Sequence, residues 1–86
     1  MLYLLGDKII GSVGVSYAQM DAEAIVVLIK DGVFLDIEAF QDKKIYAMDE
    51  DVKRRGMEGR LKDKAEIIGY DKLVDLILEN KVVNFV

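Results

Sequence analysis

The stretch Ala24 to Ile29, AIVVLI, constrains this chain more than any other. It is β-branched and apolar at successive positions, so both faces of the strand it forms must be covered, as in the interior of a parallel sheet. Parallel neighbours need crossover connections, and the rest of the sequence alternates accordingly. Leu2 to Leu5 is a short apolar run stopped by Gly6 and Asp7. Ile45 to Met48, Glu66 to Ile68 and Val82 to Val86 read as three further strands. Strands separated by short helical patterns predict parallel pairing through right-handed crossovers. The expected fold is α/β, a three-layer α/β/α sandwich around a mainly parallel sheet of four or five strands.

The segments between the strands are less uniform. In Lys8 to Met20, Ile9, Val13, Tyr17 and Met20 recur at helical spacing, which predicts a helix. Gly11 and Gly14 oppose it by about 1 kcal/mol each relative to alanine, and would form a small-residue stripe where another backbone can approach. Asp21 to Glu23 is a polar link. Lys30, Asp31 and Gly32 turn the chain, and Val33, Phe34, Ile37 and Phe40 fit a short helix. Asp49 is expected to cap a helix that ends at Gly56, Met57 to Lys64 reads as a loop, and Asp71 is expected to cap a helix over Lys72 to Glu79. In that last helix Leu73, Val74, Ile77 and Leu78 would form one apolar face.

No repeat, linker, proline or low-complexity tract divides the 86 residues, so they are read as one domain. A chain of this size buries only about 60 to 65% of its unfolded surface, while 52% of its residues are hydrophobic. The apolar surplus predicts association, either with itself or with other subunits. No stretch reaches the roughly 20 apolar residues of a membrane span, and Met1 to Leu5 runs straight into a strand pattern without a signal peptide's basic region. The absence of cysteine removes disulfides and thiolate metal sites and fits a cytoplasmic protein. The net charge of −4, from 16 acidic and 12 basic residues, disfavours direct binding of nucleic acid.

The corner from Lys44 to Gly56, KIYAMDEDVKRRG, is the first place to look for function, because ligands collect at the carboxyl ends of strands in open α/β sheets. Its residues limit the chemistry. The strand ends at Met48, and no histidine or cysteine occurs in the chain. Asp49, Glu50 and Asp51 are paired acids of the kind that hold magnesium or exchange protons, but acids in a first helical turn are explained by the helix dipole. Lys53, Arg54 and Arg55 similarly suit a last turn, with a small anionic docking patch as the functional alternative. Asp31 before Gly32 is ordinary turn chemistry. Neither a P-loop nor G-x-G-x-x-G is present. The four tyrosines are scattered and read as packing residues with a polar end. No catalytic residue, metal site or cofactor is expected, and a metal-dependent enzyme using Asp49 to Asp51 ranks below the two readings that follow.

From Val26 onward the order VVLIKDGVFLD, KKIYAMDEDVKRRGM, AEIIGYDKLVDLIL resembles the DsrH/TusB family of sulfur-relay proteins. Asp31-Gly32-Val33, Ile45-Tyr46-Ala47-Met48 with Asp49-Glu50-Asp51, Arg55-Gly56-Met57, and Ile67-Ile68 with Tyr70-Asp71 carry the resemblance, over about two-thirds of the chain. The resemblance implies a small α/β subunit that assembles with DsrE/TusD-like and DsrF/TusC-like chains and relays persulfide sulfur. The relay leads toward 2-thiolation of the tRNA wobble uridine, or toward oxidation of stored sulfur. Laying the R-R-G of the carrier-type subunits over Arg54-Arg55-Gly56 puts their carrier cysteine at or beside Met48. A thioether cannot form a persulfide, since that transfer needs a thiolate. The implied role is a non-catalytic subunit whose docking corner comprises Asp31, Gly32, Met48, Asp49 and Arg55. The alternative is a homo-oligomeric α/β protein that binds a small ligand at the carboxyl edge of its sheet, with no sulfur role.

Overall fold

The computed structural model describes residues 1–38 and 42–86. Five strands form one sheet: β1 (Leu2–Leu5), β2 (Ile25–Leu28), β3 (Lys44–Met48), β4 (Glu66–Ile68) and β5 (Val82–Phe85). All neighbours run parallel, in the order β4-β3-β2-β1-β5. AIVVLI is the middle strand, and Val26, Val27 and Leu28 are fully buried, as an apolar run without alternation requires.

The strand order fixes where the helices go. The connections β1 to β2, β2 to β3 and β3 to β4 step in one direction, whereas β4 to β5 returns across the whole sheet. With right-handed crossovers, the first three connections lie on one face and the fourth on the other. The core divides accordingly. Tyr3, Leu5, Val26, Leu28, Ile45 and Ala47 pack with Ala18 of α1 (Lys8–Met20), Val33 of a 3₁₀ turn (Lys30–Phe34), Val52 of α2 (Asp49–Arg54) and Leu61 of α3 (Glu58–Leu61). The alternate strand positions Leu2, Val27, Met48 and Ile68 pack with Leu76 of α4 (Tyr70–Glu79). Four elements cover one face and a single ten-residue helix covers the other.

Several local expectations are corrected. α1 has the expected bounds, but turned over: Gly11, Gly14 and Ala18 face the core, while Ile9, Val13, Tyr17 and Met20 face outward. Side chains fill the glycine stripe, in place of the backbone expected there. A Cβ on Gly11 would lie 2.9 Å from Leu35, and one on Gly14 would lie 2.4 Å from Leu5 and 2.8 Å from Phe85. Asp7 caps the helix, its carboxylate accepting from the amides of Ile9 and Ile10, both at 2.8 Å. In α4 only Leu76 is buried; Val74, Ile77 and Leu78 are exposed. Asp49 and Asp71 do not cap: each lies inside the first turn, after Met48 and Gly69, neither of which makes a side-chain cap.

Met57 to Lys64 contains α3 where a loop was expected. Buried Met57 and Leu61, four residues apart, anchor it despite Gly59. The turn at Val33 and Phe34 is 3₁₀, and Phe40 lies outside the described residues. Among the described residues, no helix is long and apolar enough to cross a membrane.

Candidate functional site

Adjacent strands whose following helices go to opposite faces leave a crevice between their carboxyl ends. Here those strands are β3, followed by α2, and β4, followed by α4. A cavity of about 460 Å³ lies there, lined by Ile29, Lys30, Met48, Glu50, Asp51, Arg54, Arg55, Tyr70 and Leu73. A second depression of about 350 Å³, lined by Ala22 to Ile25 and Asp42 to Lys44, lies at the amino-terminal ends of β2 and β3, away from the helix starts.

The α2 side of the crevice is built from charge. DEDVKRR places three acids one turn before three bases. Lys53 pairs with Asp49 at 3.2 Å, Arg54 with Glu50 at 2.8 Å and Arg55 with Asp51 at 3.3 Å. Gly56, at φ 65°, ends the helix in the left-handed region. The Gly56 amide donates to Lys53 O at 3.2 Å and the Met57 amide to Val52 O at 2.9 Å, the paired bonds that close a helix at glycine. Arg55 Nε also donates to Asp31 Oδ1 at 2.9 Å, tying the end of α2 to the 3₁₀ turn after β2. From the other wall, the Tyr70 hydroxyl donates to Glu50 Oε2 at 3.2 Å. Acceptance of that proton by the carboxylate holds Tyr70 above the ordinary tyrosine range.

The 3₁₀ turn is shaped by a close approach. A Cβ on Gly32 would lie 1.7 Å from Leu5 O, so only glycine lets the turn press on the β1 backbone. Lys30, the first residue of the turn, sits at φ 49°, a conformation lysine rarely takes. Its exposed side chain lines the crevice without an ion pair among the described residues.

The residues singled out from sequence fall into three groups. Asp31 and Arg55 are in direct contact, with Gly32 beneath them. Met48 is 2% exposed; it forms the floor and packs with Leu2, Val27, Ile68 and Leu76 under α4. Asp49 turns away to Lys53 and does not line the cavity. Sequence reasoning missed Lys30, whose backbone strain has no composition signal, and Tyr70, read as a packing residue but 63% exposed at the rim. It also read DED and KRR separately, although their four-residue offset was visible. Among the described residues, no three carboxylates converge closely enough to hold a metal ion. The corner thus has buried thioether below, balanced ion pairs along one wall and one unpaired lysine.

Comparison with known proteins gives one family match. A model described as DsrH like protein matches residues 15–83, well over half the chain and reaching further toward the start than the motifs after Val26. No curated protein matches the chain.

Proposed function

Because the chain belongs to the DsrH-like family, and through it to sulfur relay, we propose that it is a non-catalytic subunit of a relay complex of the TusBCD or DsrEFH type. Its partners in this reading are DsrE/TusD-like and DsrF/TusC-like subunits in the cytoplasm. The sulfur goes first to 2-thiolation of the tRNA wobble uridine, with oxidation of stored sulfur as the other destination.

One observation carries the proposal: the strand-to-helix corner that would present a carrier thiol presents Met48, almost fully buried. Persulfide transfer needs an accessible thiolate, and the whole sequence has no cysteine. The neighbouring charges are occupied in holding α2 to itself and to the 3₁₀ turn, which supports a shaped docking surface over a reactive one. The test combines the purified chain with a DsrE/TusD-like subunit, a cysteine desulfurase and radiolabelled sulfur. The expected result is a stable complex with label on the partner alone. Label held covalently on this chain after denaturation, or failure of the two chains to associate, overturns the proposal.

The small-ligand reading has its own support in the crevice, which is large enough for a small molecule and has Lys30 poised over it. Thermal denaturation against a panel of small anions checks it: a raised midpoint that Lys30→Ala abolishes supports the reading, and no shift with any anion rejects it.

A further inference from the structure

The crevice at the carboxyl ends of β3 and β4 is apolar below and polar around its rim. Met48 is buried, while Ile29 and Leu73 are half-buried against the same part of the core, which leaves some of each side chain open to the crevice. The rest of the lining is charged or hydroxylated, from Lys30, Glu50, Asp51, Arg54, Arg55 and Tyr70. A cavity of about 460 Å³ that joins apolar surface to a few polar groups has the form of a small-molecule site. The depression at the opposite ends of the strands lacks such a floor, since its apolar lining is Ala22, Ala24 and Ile25.

Most of the charge in the crevice is already engaged. Both oxygens of Glu50 are taken: Oε1 accepts from Arg54 at 2.8 Å and Oε2 from the Tyr70 hydroxyl at 3.2 Å. Arg55 is shared between Asp31 at 2.9 Å and Asp51 at 3.3 Å. Lys30 is the exception, an exposed ammonium that lines the crevice without an ion pair among the described residues. Its backbone does not explain it either. At φ 49°, glycine or asparagine would sit there at less cost than lysine.

We propose that the crevice binds a small organic acid with a single negative charge, its carboxylate on Lys30 and its apolar body over Met48, Ile29 and Leu73. The one free cation sets the charge of the ligand. A phosphate or a diacid would bring further negative charge to a wall that already holds Glu50 and Asp51, on a chain whose net charge is −4. It would also call on the forked donors of Arg54 and Arg55, and these are engaged with carboxylates. A free amino acid fits less well for the complementary reason, because Glu50 and Asp51 each face an arginine already. An inorganic anion would leave the apolar floor uncovered, whereas every methylene laid on it is favourable. The inference rests on the small-ligand reading of the crevice, to which it adds the chemical class, and it stands whether or not the chain joins a relay complex.

The test is a titration of the purified chain with acetate, butyrate and hexanoate, followed by nuclear magnetic resonance, with hexanol and inorganic phosphate as controls. We expect saturable shifts at Lys30, Met48, Tyr70 and Leu73, with affinity rising about threefold per methylene from acetate to hexanoate. Hexanol and phosphate should bind about tenfold more weakly than hexanoate, or less. Lys30→Gly removes the ammonium and suits the left-handed backbone, so it should weaken hexanoate about tenfold while the thermal midpoint is kept or raised. Lys30→Arg, which keeps the charge, should retain most of the affinity. Phosphate that binds these residues as tightly as hexanoate overturns the organic-acid assignment and leaves the small-ligand reading standing. Hexanol that matches hexanoate, or hexanoate binding that Lys30→Gly leaves unchanged, overturns the assignment in the same way, since the charge would then not be read. No saturable shift with any probe overturns this inference and the small-ligand reading together, and the relay reading is judged separately by association with its partner subunit.

Discussion

The two edges of the sheet are made differently. At the β4 edge the strand is three residues long, starts with Glu66 and is followed by the charged crevice. Its surroundings are cross-linked by polar contacts: Arg60 donates to the Phe34 and Leu35 carbonyls at 3.4 and 3.5 Å, Lys64 pairs with Glu38, and Arg55 bridges to Asp31. At the β5 edge the strand has four uncharged residues under a helix that shows its large apolar side chains to solvent. Short strands and charge oppose edge-to-edge pairing, whereas an uncharged edge invites it. Charge and polar cross-links gather beside the β4 edge, and uncharged backbone and exposed apolar side chains beside the β5 edge.

The largest effect that separates the two sides is expected at Met48. It is in register with Ile68 of β4 and is fully packed under α4. Met48→Ala should cost roughly 2 to 5 kcal/mol in unfolding free energy, read by denaturant titration. A cost near zero would mean that the β4 side is loosely packed and that the contrast between the edges is one of charge alone.

Gly14 tests the other side. A methyl group there meets Leu5 and the Phe85 ring well inside contact distance, so Gly14→Ala should lift α1 from β1 and β5. Overpacking of this kind costs about 1 to 3 kcal/mol, partly offset by alanine's better helix propensity. Denaturation measures the cost. A more stable variant would show that α1 is free to shift, and that its seating on β5 is not what holds the apolar stripe in place.

This glycine also marks where sequence reading reached its limit. Periodicity located α1 to the residue, because the stripe of Ile9, Val13, Tyr17 and Met20 spans it; the cap at Asp7 was read only as a turn residue. It could not say which stripe faces inward. The large side chains of Ile9, Val13, Tyr17 and Met20 suggested a core face, but Gly11, Gly14 and Ala18 allow Leu5, Leu35 and Phe85 to fill the space under the helix instead. The sheet order was not legible either, although its parallel character was, since β5 sits beside β1 only through the long return by α4. At the corner, the strand, the buried Met48 and the stop at Gly56 were all readable. The contact between Asp31 and Arg55, 24 residues apart, needs the fold.

A smaller effect is expected from that contact. Arg55 is mostly buried between Asp31 and Asp51, so Arg55→Met keeps the apolar stem but leaves both acids without their partner. Because Asp31 is more than half exposed and water screens it, the loss should be about 1 kcal/mol. Denaturation in low and high salt checks the cause, since the difference between wild type and variant should shrink as salt rises. A loss that salt does not change would mean that the arginine acts by packing.

The smallest expected effect asks whether the charged side of the molecule holds reactive chemistry. Met48→Cys places a thiol at the carboxyl end of β3, directly before α2. Free amides of a helix start lower a thiol's pKa, but α2 is only six residues long. Asp49, Glu50 and Asp51 would oppose a thiolate, yet each is balanced by its own base one turn on, so their net influence is weak. Burial remains, and it disfavours the charged form. The thiol should therefore titrate at or somewhat above the unperturbed value of about 8.5. Alkylation rate against pH measures this in the folded variant. A pKa well below that value would mean that the corner still activates a nucleophile, and the reading of the charged side as purely structural would have to be abandoned.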